Sequence, residues 1–186
     1  MPLVLRAKCL IIGDSCVGKS AIVQCFHSDG THYPKTYTMT TGVEVCVKSV
    51  TLPECSVEFY LHDSAGKEVF SEHVVQLWDH PSMLLLVYDI TNKTSFRNCT
   101  KWLERARAQK PEQPFPVVLL GNRKDLSTRR EVSEKEGQEL ANENDLAFFE
   151  CSAKETLNIT EPFHQLAEQY YQLYRDKMQS IKSLTS

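Results

Sequence analysis

The chain has 186 residues, a formal charge of −3 and 24% charged residues, enough length to bury about 70% of its unfolded surface without disulfide staples. The slight acidity argues against nucleic acid held by a general electrostatic grip. Seven cysteines (9, 16, 25, 46, 55, 99 and 151) are odd in number and lack C-x-x-C spacing, which points to reduced thiols in a cytosolic protein rather than a disulfide framework or zinc site. No apolar run approaches the roughly 20 residues of a membrane span, and Pro2 excludes myristoylation.

In chain order, Cys9 to Ile12 is an apolar run that reads as a buried strand. It leads into Gly13-Asp14-Ser15-Cys16-Val17-Gly18-Lys19-Ser20, which fits the phosphate-loop pattern G-x-x-x-x-G-K-[ST]. Glycines let the backbone curl so that successive N–H groups form an anion nest. Lys19 can reach the outer phosphates as a point charge, and Ser20 can place its hydroxyl on a Mg²⁺. Cys16 reads as a small loop filler. Ala21, Ile22, Cys25 and Phe26 recur at helical spacing, so a helix starting at about Gly18 adds its positive dipole end.

Residues 28–41 are polar, with Gly30 and Pro34, and read as a long flexible loop. Val43, Val45 and Val47 alternate with polar residues, as do Val57, Phe59 and Leu61 after Pro53, so residues 42–63 read as an antiparallel hairpin. Residues 67–79 suggest a short helix or mobile loop. Met83 to Tyr88 is continuously apolar, as a strand buried on both faces would be. A helix is expected over 93–109, a strand over Val117–Leu120, and a helix over 133–143 opened by a Ser133/Glu136 capping box. Leu146 to Cys151 reads as a sixth strand, and a last helix starts near Glu161. The alternation implies an α/β fold, a mostly parallel six-stranded sheet with helices on both faces, and ligands at the carboxyl ends of its strands. A single domain is expected over 1–186, with 175–186 as a helical extension or tail.

Three more motifs sit at strand ends. Asp63-Ser64-Ala65-Gly66 fits D-x-x-G: the carboxylate can hold Mg²⁺ through water and Gly66 N–H can bond a γ-phosphate. In Asn122-Arg123-Lys124-Asp125, the last carboxylate can accept from a guanine ring N–H and exocyclic amine, donors that adenine does not match. Ser152-Ala153-Lys154 can present a backbone N–H to the guanine carbonyl.

On these motifs the chain resembles a small GTPase of the P-loop class, over about residues 7–175. Thr40-Thr41-Gly42-Val43, Tyr88-Asp89-Ile90-Thr91 and Ser95-Phe96 are similar to the Rab branch. Ser28-Asp29-Gly30, Asp63 to Glu68 and Lys101-Trp102-Leu103-Glu104 resemble its divergent Rab-like members in the intraflagellar transport complex B. The resemblance implies GTP or GDP with Mg²⁺, and a metal set of Ser20, Thr40 and Asp63. It implies nucleotide contacts from residues 14–21 (Asp14, Ser15, Cys16, Val17, Gly18, Lys19, Ser20, Ala21), Tyr33 against the guanine, Thr40, Asp63, Gly66, Asn122, Arg123, Asp125, Ser152, Ala153 and Lys154. Residues 30–42 and 64–78 would be the two switches. Lys19 and Thr40 would serve catalysis.

Three departures stand out. Lys67 occupies the position of the usual water-orienting glutamine; lysine has donors but no acceptor, so weak hydrolysis is expected. Arg123 stands for the usual lysine, and its stem can still pack on the base. His62 stands where Rabs carry an effector-binding tryptophan, and reads as structural. The chain ends Ser183-Leu184-Thr185-Ser186 with no cysteine after Cys151, so a Rab-type prenyl anchor is not expected. The resemblance implies a small β-sandwich partner and other complex B subunits, with a cytoplasmic and ciliary or flagellar location. An ordinary Rab switch in vesicle traffic is the alternative.

Overall fold

A computed structural model describes residues 3–36, 38–66 and 75–184. Six strands form one sheet: β1 (Leu3–Ile12), β2 (Val43–Thr51), β3 (Cys55–Ser64), β4 (Met83–Asp89), β5 (Val117–Asn122) and β6 (Ala147–Glu150). Their spatial order is β2-β3-β1-β4-β5-β6. β2 pairs antiparallel with β3, Val45 opposite His62, and every other pairing is parallel. The expected hairpin is therefore present and extends to Ser64. The helices that lie wholly within the described residues are α1 (Lys19–His27), α2 (Lys93–Arg97), α3 (Cys99–Arg107), α4 (Glu134–Asn144) and α5 (Thr160–Leu184), with a 3₁₀ segment at Lys124–Arg129.

The apolar runs of β4 and β5 have a direct cause: alternate residues bury on opposite faces. Met83, Leu85 and Val87 join Ile22, Phe26, Phe163 and Leu166 on the face covered by α1 and α5. Leu84, Leu86 and Tyr88 join Trp78, Trp102, Leu103 and Ala141 on the face covered by α3 and α4. On the first face Phe26 stacks on Phe163 with centroids 3.7 Å apart, and Phe59 meets Phe163 edge-on at 6.1 Å. Such aromatic contacts add about 0.5–1.5 kcal/mol each beyond the area they bury.

Local signals explain the helix ends. Ser133 accepts from Glu136 N–H while the Glu136 carboxylate accepts from Ser133 N–H, the expected capping box. The segment expected as one helix over 93–109 is two. Asn92 caps α2 by accepting from Ser95 N–H, and Asn98 ends α2 and opens α3 with its backbone still helical. α5 buries only Pro162, Phe163, Leu166 and Ala167 fully, and Tyr170, Tyr171 and Tyr174 pack against the core's edge. Beyond that, Met178 and Leu184 are exposed on a helix that continues past the sheet. Among the described residues, no helix is long and apolar enough to cross a membrane.

Candidate nucleotide site

β1 lies where the strand order reverses, and the loop after it opens into a crevice at the carboxyl ends of the strands, the expected place for a ligand. The cleft has a volume of about 940 Å³. Ser15, Cys16, Gly18, Lys19, Ser20 and Ala21 line one wall, and Tyr33, Thr40, Gly66 and Arg123 line others. Gln24, Ser64 and residues 31–36, 38 and 39 also contribute; composition alone marked the 28–41 stretch only as polar.

Gly18 precedes α1 at φ 97, and a Cβ there would lie 2.3 Å from Asn122 Nδ2. Only glycine satisfies both the left-handed backbone and that approach. Cys16, by contrast, takes φ 63 with a side chain, and its thiol is exposed. The Lys19 ammonium is buried and donates to the carbonyls of Gly13 at 2.9 Å and Asp14 at 2.7 Å. Desolvation lowers its pKa to about 8, against the opposing charges of Asp63 and Asp14.

Three oxygen-bearing side chains from separate elements converge beside it. Ser20 Oγ and Thr40 Oγ1 are 3.2 Å apart. Burial pushes the Asp63 carboxyl above the usual carboxylate range, while a hydrogen bond from Ser20 and the charge of Lys19 oppose the shift. Among the described residues, Asp63 Oδ1 is buried without a hydrogen-bond partner. A buried orphaned carboxylate oxygen beside two hydroxyls suits a hard, oxygen-seeking divalent cation. A Cβ on Gly66 would fall 2.5 Å from both Lys19 Nζ and the Asp14 carbonyl oxygen. Glycine there lets the backbone approach the ammonium closely.

The second and third strand-end motifs meet through Asn122, which is 3% exposed. Its Nδ2 donates to Val17 O at 2.8 Å, and its Oδ1 accepts from Ala153 N–H at 3.2 Å and Cys151 Sγ at 3.5 Å. Asp125 Oδ1 accepts from Ser152 Oγ at 2.7 Å, which joins the two loops. Lys154 is exposed beside them. Asp125 and Ser152 to Lys154 lie outside the cleft lining. Val17 is buried in the core, so its contribution to the loop is its backbone.

Arg123 has a role beyond the expected stem. At φ 71 its guanidinium forks, Nη1 to Asp89 Oδ2 at 2.9 Å and Nη2 to Cys16 O at 2.6 Å. In the sequence Asp89 figured only in a Rab-like stretch and had no role at the site, although a carboxylate closing an apolar strand is a readable signal. The Asp14 side chain turns away from the cleft and accepts from Trp102 Nε1 and Asn98 Nδ2, both at 2.7 Å. His62 is half-buried on β3, and desolvation with nearby Lys8 lowers its pKa, so it stays neutral at physiological pH. Lys67 lies outside the described residues, as does most of the second expected switch.

Comparison with known proteins agrees with this geometry. The Ras family model matches residues 8–172. The chain is 50% identical over 182 residues to the human intraflagellar transport protein 27 homolog, covering 97% of this chain and 98% of that protein. It is 36% identical over 184 residues to intraflagellar transport protein 27 of Chlamydomonas reinhardtii, covering 96% and 90%. It is 32% identical over 181 residues to the Trypanosoma brucei brucei homolog, covering 97% and 98%. A six-stranded, mostly parallel sheet, a phosphate loop at its switch point and a family match across most of the chain lead to one conclusion: the chain belongs to the Ras family of small GTPases.

Proposed function

We propose that the chain is a Mg²⁺-dependent, GTP- and GDP-binding Rab-like subunit of the intraflagellar transport complex B, with weak intrinsic hydrolysis, acting in ciliary cargo traffic. The observation that carries the nucleotide reading is the convergence of Ser20 Oγ, Thr40 Oγ1 and the orphaned Asp63 Oδ1 beside the buried Lys19 ammonium. The names of the relatives carry the transport assignment over the vesicle-traffic alternative.

Ser20, Thr40 and Asp63 would hold the cation, which supplies charge neutralisation between the outer phosphates. Lys19 exchanges its two carbonyl partners for phosphate oxygens. Gly66 offers a backbone donor where no side chain intrudes. Asp125, steadied by Ser152, selects guanine. Asn122 holds the phosphate loop and the Ala153 loop in one register. Arg123 braces the loop at Cys16 and ties it to Asp89, and Lys67 lacks the acceptor that a water-orienting residue needs. Hydrolysis is therefore slow and the protein works chiefly as a nucleotide-stabilised binding subunit. A small β-sandwich partner would dock in part on α5 beyond Tyr174, where Met178 and Ile181 are exposed outside both switches. Pairing should then depend little on which nucleotide is bound.

The base-reading residue supplies the test. Asp125→Asn replaces an acceptor by a mixed donor–acceptor group and should shift preference toward xanthine nucleotides. Equal binding of ATP and GTP by the unsubstituted protein would overturn the reading.

A further inference from the structure

An anionic side chain in a phosphate-binding loop is an electrostatic problem. Asp14 follows the first glycine of that loop, and a carboxylate facing the cleft would repel the ligand the loop is built for. The structure turns it into the α3 face instead. Oδ1 accepts from Trp102 Nε1 and Oδ2 from Asn98 Nδ2, each at 2.7 Å, so both oxygens have neutral donors. Short bonds to a charged acceptor are among the strong ones. The main chain of the same residue carries the other load. Asp14 O accepts from Lys19 Nζ at 2.7 Å, and the Asp14 peptide lies against Gly66. One residue thus joins the phosphate-side lysine, the D-x-x-G glycine and α3.

Trp102 is itself fixed. It is 3% exposed and packs against fully buried Trp78, with ring centroids 6.1 Å apart at 50°. Trp78 Nε1 donates to Ser64 Oγ at 3.0 Å, one residue after Asp63. The two packed indoles therefore brace the same site at two points, one through the phosphate loop and one through the residue beside the candidate metal ligand.

We propose that Trp102 and Asn98 are positioning residues for nucleotide binding, acting by holding the Asp14 carboxylate away from the phosphates and its peptide in place. This rests on the guanine-nucleotide reading above. Removing either donor strands a half-buried carboxylate oxygen, which then turns toward solvent and the cleft and loosens the loop carbonyl that seats Lys19.

The test is a double-mutant cycle on release of fluorescent mant-GDP from the full chain chased with excess GDP. Trp102→Phe keeps an aromatic ring and removes the N–H. In the Asp14 protein it should speed release about tenfold or more, the range expected for a lost bond to a charged group. In an Asp14→Ala background, where no carboxylate needs a donor, the same substitution should change release by less than about twofold. Asn98→Ala, at a less buried site, should show the same dependence on Asp14 and keeps the test decisive if Trp102→Phe folds poorly. Equal acceleration in both backgrounds would make Trp102 and Asn98 packing residues only and overturn the proposal. Failure of the unsubstituted protein to take up mant-GDP would instead remove the nucleotide reading itself.

Discussion

Asn122 offers the sharpest perturbation because one buried amide joins three segments. Its Nδ2 satisfies Val17 O in the phosphate loop, and its Oδ1 satisfies Ala153 N–H and the Cys151 thiol after β5 and β6. Asn122→Ala strands a carbonyl and an amide N–H, each costing about 1–3 kcal/mol when buried without a partner. The sum is roughly 2–6 kcal/mol, against a total stability of about 5–15 kcal/mol for a typical domain. Asn122→Asp is the more telling variant. It preserves the shape and keeps an acceptor for Ala153 N–H, but aims a second oxygen at Val17 O and loses the only donor in the group. Urea unfolding at a fixed excess of nucleotide should show both variants destabilised by at least about 2 kcal/mol. Release of bound nucleotide should also be faster, because Val17 lies within the loop. An Asn122→Asp protein within about 0.5 kcal/mol of the parent would refute the reasoning, since that is the scatter of an ordinary surface change.

Lys19 predicts a pH dependence. Its pKa in the protein without ligand is about 8, below the unfolded value, so the free protein gains stability as pH rises from about 8 toward 10.5 while nucleotide binding loses its ammonium; apparent GDP affinity measured by titration should fall about tenfold by pH 9. Cys16→Gly should relieve a left-handed non-glycine residue and stabilise the protein by about 1 kcal/mol, seen as a rise in Tm of about 2–4 °C. Intrinsic GTP turnover should lie at or below the roughly 10⁻⁴ s⁻¹ of unassisted small GTPases. Lys67→Gln should hydrolyse no more slowly in single-turnover phosphate release; a marked slowing would show that Lys67 is catalytic by another route.

What the sequence made legible follows from how each feature is encoded. The phosphate loop has four constrained positions within eight residues, and its geometry leaves little freedom at Gly18. β4 and β5 were readable because burial on both faces leaves an unbroken apolar run. The capping box at Ser133 and Glu136 is a local pair and was readable for the same reason. Contacts between distant segments leave no such trace. Asp14 meets Asn98 and Trp102 across 84 and 88 residues, and no periodicity marks either bond. Trp102 is also an ordinary core position on a helix, which hides its second contact. The division of 93–109 into α2 and α3 was hidden because Asn98 keeps helical angles, so the apolar spacing runs through the junction. Arg123 looked like a conservative replacement; only the fold shows that its two nitrogens reach Asp89 and Cys16 together.

The central claim is that the cleft is a guanine-nucleotide site, and the nucleotide content of the purified protein tests it most directly. Denaturing the protein and separating what it releases by chromatography should yield close to one equivalent of GDP or GTP, with bound Mg²⁺ lost on chelation together with the nucleotide. Protein that is folded, carries no nucleotide and takes up none from a GDP and Mg²⁺ solution would contradict the account, as would protein that releases adenine nucleotide instead.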